Sequence, residues 1–295
     1  MAGDGMHVSE YDPALADIIL GEAAHLLRNI GFAAQHAILI GGLVPGLLVL
    51  DPGPGRQRHI GTADVDLCLS VALVNGDTAQ YERIEAGLRN AGFEPFESTF
   101  AWKRTREPSV KVEFFCPAGD GRSPGGLFRP VAADAPLAKH NMGPRLSAIT
   151  LAAGEAISAD VVEVHRDVVL PDEAGRTTWN FRVTGLVGFL VAKTAALVNR
   201  DKPKDAYDIV WLLESWKGGP AGAATTVRES GLLGRQDVSE SMRSLRAEFA
   251  DPGCLGPASF VRFMASVGAL TDERLRLARQ ATGAVSAFAE ALHTT

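Results

Sequence analysis

Asp64 and Asp66 are the residues of this sequence whose type and spacing are best suited to chemistry. They lie in His59-Ile-Gly-Thr-Ala-Asp-Val-Asp-Leu-Cys-Leu-Ser70, where Val65, Leu67 and Leu69 alternate with Asp64, Asp66 and Cys68. Alternation of period two predicts a β-strand that sends its apolar set into a core and both carboxylates out of the opposite face. Two like charges side by side are costly unless a cation is shared between them. Closely spaced hard oxygens on a rigid strand suit Mg²⁺, which takes carboxylates together with phosphate oxygens. A bare Asp-x-Asp is most often an ordinary solvated strand face, so its neighbours in the chain decide the reading.

Upstream, Ala37-Ile-Leu-Ile-Gly-Gly42 followed by Leu43-Val-Pro-Gly-Leu-Leu-Val-Leu50 reads as a short buried strand, a tight turn and a helix. Gly41 and Gly42 would there let backbone amides approach a phosphate, with the helix N-terminus adding partial positive charge. Downstream, Val110-Lys-Val-Glu-Phe-Phe115 alternates so that Lys111 and Glu113 face away from Val110, Val112 and Phe114. A third carboxylate is thus available on a further strand. Taken together, Gly41-Gly42, then Thr62-x-Asp64-x-Asp66, then Glu113 resemble the signature of the DNA polymerase beta-like nucleotidyltransferase superfamily. Glu163, in Val161-Val-Glu-Val-His165, is a rival third carboxylate. Glu113 is favoured because its strand follows the first helix and hairpin in the order that fold expects.

The elements that must position these groups follow from periodicity. Tyr11 to Gly31 carries Leu15, Ile18, Ile19, Ala23, Leu26, Leu27 and Ile30 at helical spacing, an amphipathic helix packed on the first strand. Asp51-Pro-Gly-Pro-Gly-Arg-Gln-Arg58 is a turn-rich loop whose Arg56, Arg58 and neighbouring His59 would meet triphosphate or RNA or simply be solvated. Thr78 to Asn90 reads as a helix, and Phe100–Arg106 with Val110–Phe115 as a hairpin around Glu107-Pro-Ser. Pro117 to Pro144, rich in Gly, Pro and Arg, is either a loop over the site or an insertion. Val161–His165 and Val168–Leu170 look like further strands, and after Phe181-Arg-Val the chain turns helical.

Two charges interrupt the helical stripes that follow. Lys193 falls among Leu186, Leu190 and Leu197, and Asp208 lies on the side of Ile209, Leu212 and Leu213, so each must meet an opposite charge once buried. Lys193-Thr-Ala-Ala-Leu-Val-Asn-Arg200 followed by Lys204-Asp-Ala-Tyr-Asp-Ile209 resembles the lysine and Arg/Lys-Asp-x-x-Asp segment of the AbiEii/AbiGii-type toxin nucleotidyltransferases. The resemblance spans roughly Ala37 to Leu213, with Pro117 to Ser158 unmatched. This chain departs in carrying Glu113 where an aspartate is usual and in the longer loop before Asp64.

What the resemblance implies is an α+β chain: a nucleotidyltransferase fold of a small mixed sheet flanked by helices over 1–180, then a helical bundle over 181–295. It implies Mg²⁺-dependent transfer of NMP from an NTP, with Asp64, Asp66 and Glu113 holding two Mg²⁺ ions and Glu113 serving the incoming hydroxyl. Gly41, Gly42 and Thr62 would meet the phosphates, Thr62 alternatively holding its loop. Lys193 would neutralise the triphosphate, and Asp208 would orient Lys193 or join the same cations. The acceptor would be RNA, as at a tRNA end, and the protein the toxin partnered by an antitoxin. A small-molecule nucleotidyltransferase of antibiotic-modifying type and an inactive nucleotide-binding module of the same fold are the other readings.

Composition sets the bounds. At 295 residues, 46% hydrophobic and 22% charged, the chain can bury a sizeable core and fill two domains. A net charge of −6 argues against a generally basic nucleic-acid coat, so an RNA partner would need a local basic patch. Cys68, Cys116 and Cys254 are widely separated, which fits a reducing cytoplasm and no zinc. No targeting segment or membrane span is expected.

Overall fold

The structure, a computed structural model, describes residues 7–69, 78–119, 122–129 and 146–293. It is a mixed α/β fold with one mixed sheet and, among the described residues, ten α-helices, organised in two compact units.

The first unit comprises Ala14–Leu43 and Thr62–Thr184 and contains the whole sheet. Helix α1 (Pro13–Ile30) leads to β1 (Ala37–Ile40), and β2 (Asp64–Leu69) pairs with β1 antiparallel. Helix α3 (Thr78–Asn90) precedes β3 (Glu94–Phe96), β4 (Ser98–Arg104) and β5 (Val110–Pro117). The expected hairpin is present, with β4 and β5 antiparallel, and β5 pairs with β2 in parallel. Strands β6 (Leu127–Phe128) and β7 (Ala148–Leu151), helix α4 (Gly154–Ala159), and β8 (Val161–Val169) with β9 (Arg176–Thr184) complete the unit. The main path runs β3-β4-β5-β2-β1-β9-β8, with β6 and β7 attached beside β5.

Val65 and Leu67 of β2, Val112 and Phe114 of β5, Trp102 of β4 and Leu39 of β1 are almost wholly buried, the alternate residues of four neighbouring strands. Because a central strand buries its apolar set against a helical layer, the polar set is confined to the other face. The two apolar runs at 161–165 and 168–170 form one strand rather than two. His165, Arg166 and Asp167 break the apolar pattern, but pairing with β9 is continuous from Val161–Thr184 to Val169–Arg176. The stretch from Pro117 to Pro144, expected as either a loop over the site or an insertion, supplies the last residue of β5 and the short β6. Its residues 120–121 and 130–144 lie outside those described, and the choice between loop and insertion lies with them.

The second unit comprises Met1–Pro13, Val44–Gly61 and Gly185–Thr295. It holds α2 (Val44–Leu48), α5 (Leu186–Asn199), α6 (Lys204–Ser215), α7 (Gly219–Glu229), α8 (Gln236–Glu248), α9 (Leu255–Met264) and α10 (Thr271–His293). Each of the last six presents an apolar stripe, and Leu190, Ile209, Leu212, Val227, Leu245, Phe263 and Phe288 fill the common core. Pro257 lies in the first turn of α9, where a missing N–H goes unnoticed. No helix among the described residues is long and apolar enough to cross a membrane.

Candidate active site

The carboxylate face is built by strand register. In the parallel β2–β5 pair, Asp64 lies opposite Lys111 and Asp66 opposite Glu113. All four alternate with buried residues and are themselves only partly covered. The face closes beyond Asp66, where Cys68, of the same parity, is fully buried. Lys111 Nζ stands 3.2 Å from Glu113 Oε1 and 3.7 Å from Asp64 Oδ2, with side-chain exposures of 30%, 24% and 20% respectively for the lysine, the glutamate and the aspartate. Burial pulls the Lys111 ammonium down, but Asp64, Glu113 and, behind them, Asp66 outweigh it and hold it above its ordinary value.

Glu163, the rival, is placed elsewhere in the sheet. Strand β8 is separated from β2 by β1 and β9, three inter-strand steps or roughly 14 Å at ordinary spacing. Its carboxylate accepts a hydrogen bond from Asn180 Nδ2 at 2.9 Å. Of the two candidates, Glu113 alone adjoins the Asp pair.

Gly41 has a steric reason of its own to be a glycine. Gly41 has φ +75°, and a Cβ built on it would lie 1.9 Å from Asp66 Oδ2. Its missing side chain therefore makes room for the Asp66 carboxylate. Gly41–Leu43 form a 3₁₀ turn, and the helix that follows is only the five residues of α2. So short a helix has few aligned peptide units to lend partial charge to a phosphate. Thr62 caps the entry to β2, its Oγ1 accepting the Asp64 N–H at 3.4 Å, which matches the loop-holding alternative.

Three carboxylates on one partly exposed face offer the hard oxygens a divalent cation takes, and a cation, the Lys111 ammonium, already lies among them. The donor chemistry fits Mg²⁺. The arrangement is not yet a closed cage: among the described residues, no three Asp, Glu, His or Cys side chains converge closely enough to hold an ion. The expected three-carboxylate convergence is replaced by two carboxylates sharing a lysine.

Lys193 and Asp208 meet as burial requires, entirely within the helical unit. Lys193 Nζ is 2.6 Å from Asp208 Oδ2 and 2.7 Å from Asp205 Oδ1. Lys204 Nζ lies 2.6 Å from Asp208 Oδ1, and Arg200 makes two hydrogen bonds to Asp205 at 2.8 Å. Burial opposes each charge. For Lys193, Asp205 and Asp208 outweigh burial and raise the ammonium, and for Asp208, Lys193 and Lys204 outweigh it and hold the carboxylate well below its usual range. Lys204 is lowered to about 8 by burial and by Lys193 in spite of Asp208, and at neutral pH it still carries its proton for the most part.

His59 is the member that sequence reasoning missed. Its Nε2 is 2.9 Å from Asp208 Oδ1, and its Nδ1 accepts the Gly61 N–H at 3.0 Å, so the proton sits on Nε2. Burial lowers His59 to about 4 despite the Asp208 hydrogen bond, and the ring is neutral. Tyr207 stacks on it at 5.3 Å and Trp211 meets it edge-on at 4.9 Å. Trp211 Nε1 also donates to Gln57 O at 3.1 Å, and Arg56 pairs with Glu214 at 3.1 Å. The loop is fastened along α6 while Arg56 and Arg58 are themselves exposed, as the solvated alternative has it, and only His59 departs from it by being buried.

No protein-family model matches this chain, and no curated protein does. Among solved structures it is similar to the "Structure of STING-associated CdnE c-di-GMP synthase from Capnocytophaga granulosa", at 11% identity and a TM-score of 0.27, over 95% of this chain and 81% of that one. Function is therefore argued from the site itself.

Proposed function

We propose that the chain is a divalent-metal-dependent nucleotidyltransferase that moves NMP from an NTP to an acceptor hydroxyl. The observation that carries this reading is the register of β2 on β5, which sets Glu113 beside Asp66 and Lys111 beside Asp64 on one partly exposed face. Asp64 and Asp66 would hold the metal, with Glu113 completing the set once Lys111 gives way. When bound, Mg²⁺ supplies the positive charge that a triphosphate and its transition state require. The chain's own groups then position. Gly41 leaves the space in which Asp66 is held, and Thr62 fixes the turn that delivers Asp64. Glu113 stands as the carboxylate able to accept the hydroxyl proton.

Lys193 and Asp208 enter this proposal as scaffold. An ammonium shared between two buried carboxylates, with its side chain 8% exposed, has its charge already matched. The resemblance of 193–209 to the AbiEii/AbiGii toxins supplies the acceptor: a hydroxyl of RNA, in the manner of a tRNA end, with an antitoxin as the counterpart.

The test is incubation of the protein with each α-³²P-labelled NTP, Mg²⁺ and total bacterial RNA, alongside a panel of small hydroxylated acceptors. Label in RNA that disappears in Asp66→Asn supports the full reading. Label confined to a small acceptor keeps the transferase and overturns the RNA acceptor. No transfer from any NTP to either class overturns the activity.

A further inference from the structure

Lys111 enters the reading above only as the group that must give way, yet among the described residues it is a cation in direct reach of two carboxylates of the site. Its position follows from sequence and register together. It is two residues before Glu113 on β5, hence on the same face, and directly across from Asp64 on β2. Nζ reaches one carboxylate on each strand, at 3.2 Å and 3.7 Å. A divalent ion that uses Asp64 together with Glu113 would take the region this ammonium now fills, because two cations sharing the same oxygens repel strongly where water is partly excluded.

We propose that Lys111 is a tethered cation that competes with the divalent metal for Asp64 and Glu113, so that loading the site requires the lysine to swing out. This rests on the metal-dependent reading above. The lysine stem allows the movement: four flexible carbons carry a compact charge, and the side chain is 30% exposed, so water is within reach when the ammonium leaves. While it is in place, Lys111 relieves the carboxylate repulsion that the bare face would suffer. It thereby keeps the strands in register without metal and sets a threshold of metal concentration for activity.

The experiment is titration of the full chain with Mn²⁺ alone, free Mn²⁺ being followed by electron paramagnetic resonance, with no nucleotide present. Lys111→Met and Lys111→Gln are compared with wild type, the glutamine variant retaining a polar end should methionine disturb the fold. The expected result is at least about tenfold tighter binding in both, with the gain abolished when Asp64→Asn is added. Equal affinity in wild type and Lys111 variants, with Asp64→Asn still weakening it, would overturn the role of Lys111 and leave the metal reading standing. Failure of every form to bind Mn²⁺, with Asp64→Asn indistinguishable from wild type, would overturn both.

Discussion

The Asp66 carboxylate occupies the space a side chain at Gly41 would need, Oδ2 lying 1.9 Å from the position of an added Cβ. Ile40 and Asp66 are register partners in β1 and β2, so the turn that leaves β1 passes directly over the carboxylate. Gly41→Ala is expected to push Asp66 off its position and to add roughly 1–2 kcal/mol of left-handed backbone strain. Transfer should be lost together with a modest fall in melting temperature. An alanine variant of full activity would show that the placement of Asp66 is not needed.

Asp64→Asn and Asp66→Asn should each abolish transfer and leave the fold intact. Asp64 contributes a partly exposed ion pair to Lys111, and such pairs are worth at most about 1 kcal/mol. Circular dichroism and thermal melting beside the activity assay check both halves. Wild-type turnover in either variant removes the carboxylate pair from the mechanism.

Glu113 and Glu163 divide cleanly in the sheet, one adjoining Asp66 and the other hydrogen-bonded to Asn180 on the far side of β1. Glu113→Gln should lower turnover by a factor on the order of 100 or more, and Glu163→Gln should leave it within about twofold. The reverse ranking would move the third carboxylate to β8.

Lys193→Met should act on stability. Removing the ammonium leaves Asp205 and Asp208 buried with less compensation, a loss of about 3–5 kcal/mol. Affinities for NTP and for NMP, measured on the folded fraction, should change equally or not at all. A selective loss of NTP affinity with an unchanged melting temperature would place Lys193 at the triphosphate after all.

Stability should also fall in mild acid. His59 is lowered from 6.5 to about 4, so the unfolded chain takes up a proton on this ring that the folded chain refuses. The stabilisation from the neutral ring is complete above pH 6.5 and is lost as pH falls toward 4, a total on the order of 3 kcal/mol. Denaturant titrations at pH 7, 5.5 and 4.5 measure it. His59→Gln should flatten this segment of the profile, and an unaltered slope would show that another group is responsible.

Much of the site was legible because β-strands have a strict period. Alternation alone assigned Asp64 and Asp66 to one face, and Lys111 and Glu113 to one face of another strand, since apolar residues at every second position leave no other arrangement. It likewise marked Lys193 and Asp208 as charges that had to be paired, because each interrupts an apolar helical stripe. Periodicity says nothing about which strands are neighbours. Only the parallel pairing of β2 with β5 brought Glu113 to Asp66, set Lys111 across from Asp64 and left Glu163 three strands away. The reason Gly41 is a glycine lies in the antiparallel pairing of β1 with β2, since it is a carboxylate from β2 that excludes its side chain. His59 gave no local signal at all: a histidine in a loop beside two arginines reads as solvated. Its burial against Asp208, Tyr207 and Trp211 comes from residues about 150 positions away in sequence, which only the folded chain brings together.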